Sequence, residues 1–157
     1  MSRQLITTWG DYTAAADRLL AHPEPRELLI HDQDLQMLRL ESSERIAALS
    51  QRLAEGCTLR IALRDGSPFQ GRQPRLNALF ETWRHRVQIR TLPETFAHLR
   101  DSLLITGHEL ALIRFDKDQP RAVVLDSQEP DLGQYRSRFE EIWQICHDDL
   151  LPRPLGL

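Results

Sequence analysis

The stretch SLLITGHELALIRF (residues 102–115), followed by RAVVLD (121–126) and DLGQYRSRFEEIWQICH (131–147), decides the fold. Residues 102–106 and 109–115 are apolar runs joined by Gly107-His108, a turn short enough to bring the second strand back antiparallel on the first. RAVVLD reads as a further strand. In the last segment Tyr135, Phe139, Ile142, Trp143 and Cys146 recur at helical spacing, so they form a stripe that faces a core rather than a cofactor box. A hairpin, a strand and a closing helix therefore make up the second half.

The first half alternates. Residues 11–21 form a short helix with Asp11 as its cap, and RELLIHD (26–32) is an apolar strand. Ile46, Leu49 and Leu53 carry a helix over 43–55, with Ser42 placed to cap it and Gly56 placed to end it. TLRIALRD (58–65) is the next strand, then DGSPFQGRQP (65–74) is a glycine- and proline-rich loop. A helix over 75–85 with Leu76, Leu79, Phe80 and Trp83 on one face leads into the strand VQIRTL (87–92). Strands that alternate with helices imply right-handed crossovers and parallel pairing. The expected fold class is α/β: a mixed, mainly parallel sheet flanked by helices, with residues 1–157 forming one domain.

Composition narrows the functional classes. The net charge is −3 and the pI about 6.1, so the chain has no global basic field of the kind that drives non-specific nucleic-acid binding. MSRQLITTWGDY lacks the apolar core of a signal peptide, and no apolar run approaches the ~18 residues of a membrane span. A cytoplasmic location and no membrane partner are expected. Cys57 and Cys146 stand far apart without a metal-ligand spacing, and are read as reduced core residues.

The order of elements, with ELLIHDQDL (27–35), LRIALRD (59–65), VQIRTLPE (87–94), SLLIT (102–106), ALIR (111–114) and RFEEIW (138–143), resembles one half of the phospholipase D-like fold. More narrowly it resembles a set of uncharacterised bacterial phospholipase D-like domains, found behind acetyltransferase domains or alone. That resemblance implies a catalytic HxKxxxxD motif on the hairpin, and pairing of two halves across a shared face. Phosphoryl chemistry by that motif needs a histidine nucleophile, a lysine two residues on and an acid seven residues on. In one register those positions are Arg100, Ser102 and Gly107; if His98 is the nucleophile, the others are Arg100 and Ile105. Neither register supplies the acid, and Arg114-Phe115-Asp116 stands where a GSxxN element is expected. The motif is read as degenerate and the chain as a non-enzyme.

No GxGxxG, GxxxxGK[ST] or GxSxG motif is present, so no nucleotide, acetyl-CoA or serine-hydrolase site is expected, and no cofactor or metal is called for. His31, Asp32 and Asp34 lie just past a strand end, where open α/β sheets bind ligands, but an aspartate there more often serves a turn. Eight arginines fall between residues 57 and 100 against Asp65, Glu81 and Glu94. If they converge, Arg60, Arg64 and Arg90, with His31 and His98, are the candidate phosphate ligands, since guanidinium forks suit phosphate oxygens. The chain uses Arg almost exclusively, Lys117 being its one lysine, so the bias alone shows no site. The functional reading is a non-catalytic module that acts through protein contacts, with a homodimer first, for which an apolar face left over on Leu35-Gln36-Met37-Leu38 would argue. The alternative is a phosphate- or nucleic-acid-binding protein, or a divergent phosphodiesterase, using the Arg/His cleft.

Overall fold

The computed structural model describes residues 3–23 and 26–151. In chain order the elements are β1 (Arg3–Ile6), α1 (Trp9–Ala21), β2 (Glu27–Asp32), α2 (Ser43–Ala54), β3 (Thr58–Leu63), α3 (Ser67–Arg72), α4 (Pro74–Thr82), β4 (Val87–Thr91), β5 (Ser102–Thr106), β6 (Leu110–Arg114), β7 (Ala122–Asp126), α5 (Asp131–Ile145) and β8 (His147–Asp149). One sheet contains all the strands in the order β1-β7-β6-β5-β2-β3-β4-β8.

The mixed α/β architecture flanked by helices is as the sequence implies, but the sheet is mainly antiparallel. Only β2 with β3 and β3 with β4 pair in parallel; the other neighbours run antiparallel. The alternating first half supplies those two parallel pairs and no more. The β5–β6 hairpin docks against β2, and both edges are closed by short strands, β1 and β8, that carry too little periodicity to be read from sequence.

Alternation along the strands divides the core. Leu28 and Ile30 of β2, Leu104 of β5 and Leu112 of β6 point to the face covered by α1 to α4, where Tyr12, Leu19, Leu49, Phe69, Leu76 and Phe80 are buried. Leu29, Leu103, Ile105 and Ile113 point to the other face, covered by α5 through Leu132, Phe139, Ile142 and Trp143. Four helices thus pack on one side and a single helix on the other. The segment expected to be a loop between β3 and the next helix contains α3, whose Phe69 stacks on Phe80 at 5.8 Å between ring centroids.

Local signals set the helix ends. Ser42 caps α2 as its position implies, its Oγ accepting from the Arg45 amide at 3.3 Å. At α1 the cap is Thr8 rather than Asp11: the Thr8 hydroxyl accepts from the Asp11 amide at 3.1 Å and the helix begins at Trp9. Gly56 ends α2 at φ +101°, a conformation that costs an L-residue roughly 1–2 kcal/mol. A Cβ there would meet nothing within 4 Å, so the cost is purely one of backbone. Gly56→Ala is expected to lower the unfolding free energy by about 1 kcal/mol in urea titrations, with no change in the native near-UV spectrum.

Candidate functional site

At the carboxyl end of β2 the sheet stops being apolar. Asp32, Ser102 and Arg114 lie side by side at the ends of β2, β5 and β6, and they are only 1%, 2% and 1% exposed. They share the parity of Ile30, Leu104 and Leu112, so all three face α1. The Ser102 hydroxyl donates to Asp32 Oδ1. Arg114 Nη2 donates to the same oxygen at 3.2 Å and to Ser102 Oγ at 3.1 Å. Asp32 Oδ2 accepts from the Leu35 amide at 2.7 Å, and that bond holds Leu35 at φ +72°, unusual for a residue with a side chain. The Arg114 guanidinium carbon lies 5.4 Å from the Trp9 ring centroid and 5.2 Å from that of Tyr12. Burial, then the charge of Asp32, pushes the Tyr12 hydroxyl up to about 12. The arginine is held by a carboxylate, a hydroxyl, the Asp116 carbonyl at 2.8 Å and two rings.

On the opposite face of the same strand end lies a second polar group. His31 is fully buried, and its Nδ1 sits 3.3 Å from the Ala62 carbonyl while Nε2 sits 2.9 Å from Arg64 Nη1. Arginine has only donors, so the ring is neutral, with the proton on Nδ1 donated to Ala62 and Nε2 accepting. Burial first, and the neighbouring Arg64 charge second, pull its pKa from 6.5 to about 4. Arg64 also donates to Gln33 Oε1 at 2.9 Å and to the Asp101 carbonyl at 2.6 Å. Burial of the Asp101 carboxyl opposes its ionisation, yet the Arg138 fork, at 3.0 Å through both Nε and Nη2, holds its pKa below the usual range.

The predicted site residues do not converge on one cleft. His31 and Arg64 meet, as described. Arg60 lies over the stacked Phe139 and Trp143 rings and is paired with Glu140 at 2.6 Å and with Glu27 at 3.7 Å. Arg90 covers the Trp143 ring at 4.4 Å. His98 is exposed, beside the Thr95 carbonyl at 3.1 Å and stacked on Phe96. Glu27, Glu140 and Asp101 draw Arg136, Arg60 and Arg138 into pairs that fasten α5 to the sheet, and of the arginines in the middle of the chain Arg60 and Arg100 are answered by acids from elsewhere. His31 and Asp32 point to opposite faces and cannot share an ion, and no group of three or more possible metal ligands occurs among the described residues. Of the motif positions, Arg100 is exposed and pairs with Asp116 and Asp118, Ser102 is buried against Asp32, and Gly107 is the hairpin turn at φ +53°.

Sequence reading passed over Ser102, Arg114 and Asp101 as a site. A signal was present: in ALIR the arginine shares the inward parity of Leu112, and a cation there requires a buried acid nearby.

The fold, a mixed sheet flanked by helices, is similar to the phospholipase D-like fold. The chain is similar to Nuc of Salmonella typhimurium, a phospholipase D family member, over 96% of this chain and 99% of that one, with a TM-score of 0.66 and 13% identity. It is similar to NucT of Helicobacter pylori over 92% and 96%, with a TM-score of 0.60 and 11% identity. TrmBL2, described as an archaeal chromatin protein with a novel mode of DNA binding, gives a TM-score of 0.69 at 13% identity, and this chain spans 94% of its own length but 54% of TrmBL2. No curated protein sequence matches the chain. The chain itself belongs to the family described as domain of unknown function DUF7931, which it matches over residues 10–155.

Two outcomes test this geometry. Arg114→Met strands the Asp32 carboxylate in the interior and is expected to lower stability by about 3–5 kcal/mol, much of it recovered in the double variant with Asp32→Asn, as read by urea unfolding. For His31, the folded value lies below the unfolded one, so between pH 6.5 and 4 the unfolded chain holds a proton that the native chain does not. Its contribution is complete above 6.5 and is lost as pH falls toward 4. At about 1.4 kcal/mol per unit, stability should fall by about 3 kcal/mol across that window. That slope should be largely absent in His31→Gln.

Proposed function

We propose that this chain is a non-catalytic module of phospholipase D-like fold that acts through protein contacts, pairing first with a second copy of itself in the cytoplasm. The observation that carries the proposal is the Asp32–Ser102–Arg114 network. At the positions that the resemblance gives to the nucleophilic histidine and the phosphate-binding lysine stand Arg100, exposed and paired with Asp116 and Asp118, and Ser102, which is buried in a closed network with Asp32 and Arg114. No histidine stands there in that register, and the buried Ser102 hydroxyl is out of a substrate's reach. The one buried histidine nearby, His31, is held neutral on the other face, with both ring nitrogens engaged.

Self-association is supported by what surrounds that closed centre. Leu35 and Leu38 are buried, whereas Met37 and Phe115 are exposed at 45% and 44%, large apolar side chains on the loops that follow β2 and β6. Met37 lines a cleft with Lys117, Asp34 and Asp118. A two-fold axis would set apolar against apolar, as an isologous interface allows. The DNA-binding reading that the description of TrmBL2 suggests has less support, because Arg60, Arg64, Arg100, Arg136 and Arg138 are already engaged within the chain.

Sedimentation analysis across a wide concentration range is expected to show a reversible dimer, and Met37→Asp combined with Phe115→Asp to weaken it at least tenfold with the fold retained. The wild-type protein should give no turnover of bis-p-nitrophenyl phosphate or of single-stranded DNA above a buffer blank. Turnover that disappears in His31→Gln would overturn the reading, as would a strictly monomeric wild type.

A further inference from the structure

A cleft of about 410 Å³ opens beside the buried network, and its lining includes Gln33, Asp34, Gln36, Arg114, Lys117 and Asp118. Both its carboxylates already have donors. Asp34 accepts from the Gln36 amide at 3.1 Å and from its side-chain nitrogen at 2.9 Å, and Asp118 accepts from Arg100 at 2.7 Å. The donors are not matched in the same way. Gln33 uses its carbonyl oxygen to receive Arg64 at 2.9 Å, which leaves its amino group free to donate. Arg114 is 1% exposed, and its Nε finds no partner among the described residues. The Lys117 ammonium has neither an ion pair nor a hydrogen bond among the described residues.

Lys117 is also held in place before any ligand arrives. It sits between Asp116 and Asp118, and Arg100 bonds to both. The Asp118 amide closes on Asp116 at 2.9 Å, and Arg114 grips the Asp116 carbonyl at 2.8 Å. A loop braced in this way loses little entropy on binding.

We infer that this cleft is a binding site for a small carboxylate, taken by Lys117 and Gln33 above the Arg114 guanidinium. Unfilled donor capacity on Lys117 and Gln33, beside carboxylates that already have donors, favours an anion. The balance of charge selects a single one: Arg114 is offset by Asp32, Lys117 is the only unpaired cation of the cleft, and Asp34 and Asp118 repel a phosphate dianion. The inference does not rest on self-association, because every group named comes from one chain; Met37, which also lines the cleft, sets ligand and self-contact in competition for it.

The single lysine gives a direct reporter. Reductive ¹³C-dimethylation, which keeps the positive charge, labels Lys117 and the α-amine alone, and its methyl resonance is followed while acetate, succinate or inorganic phosphate is added against chloride of matched ionic strength. The expected result is a saturable shift of the Lys117 signal with the carboxylates, a dissociation constant that does not tighten as protein concentration rises, and a loss of at least tenfold in affinity in Gln33→Leu. Saturation by phosphate at lower concentration than by either carboxylate overturns the ligand class. A dissociation constant that tightens with protein concentration overturns the one-chain site. Failure of all three probes to saturate, or a Gln33→Leu variant that binds as the wild type does, overturns the site itself.

Discussion

A carboxylate buried at a strand end is the constraint on which the rest of this end of the molecule depends. Asp32 is held inside the protein between a strand and a left-handed turn, and a charge so placed must be neutralised and hydrogen-bonded. Arg114 and Ser102 answer it from two further strands. That requirement fixes β6 beside β5 and β5 beside β2 with their polar termini level, and it draws α1 over them through Trp9 and Tyr12. It also explains the leucine at φ +72°, since the turn that presents the Leu35 amide to the carboxylate is what places that residue there.

The two polar groups at this strand end divide their work by parity. Asp32, Ser102 and Arg114 close the helix-rich face, while His31, Arg64, Asp101 and Arg138 tie α5 to the other. Adjacent residues His31 and Asp32 therefore belong to different structural units although they are consecutive in the chain. The arginine-rich middle of the sequence takes its meaning from the same division. Arg60 and Arg64 do share one side of β3, but that side faces α5: Arg60 meets Glu140 of that helix, while Arg64 donates to the Asp101 carbonyl and lies against His31.

Much of this was legible before any coordinates. Ser42 and Gly56 delimited α2, the Gly107-His108 turn marked the hairpin, and the Phe139, Ile142, Trp143 stripe faced the sheet as its spacing required. What sequence could not supply was long-range pairing. The local βαβ pattern describes β2, β3 and β4 well, but nothing local says that β5 returns antiparallel against β2, which turns an expected parallel sheet into a mainly antiparallel one. The surroundings of the candidate ligands were hidden for the same reason. Arg60 and Arg90 resemble ligands until Glu27, Glu140 and Trp143, distant in sequence, are seen beside them, and Ser102 reads as an ordinary strand residue until Asp32 is placed next to it.

The edges of the sheet bear on how copies of this chain can gather. β1 is four residues long and β8 three, and the pairing of β8 with β4 shifts register between Arg90 and Thr91. Such short, irregular edges are poor templates for adding strand to strand, the route by which sheets grow without limit into fibres. A sheet ended in this way presents, among the described residues, no long row of free backbone groups at either side, and so it offers a further strand little to pair with.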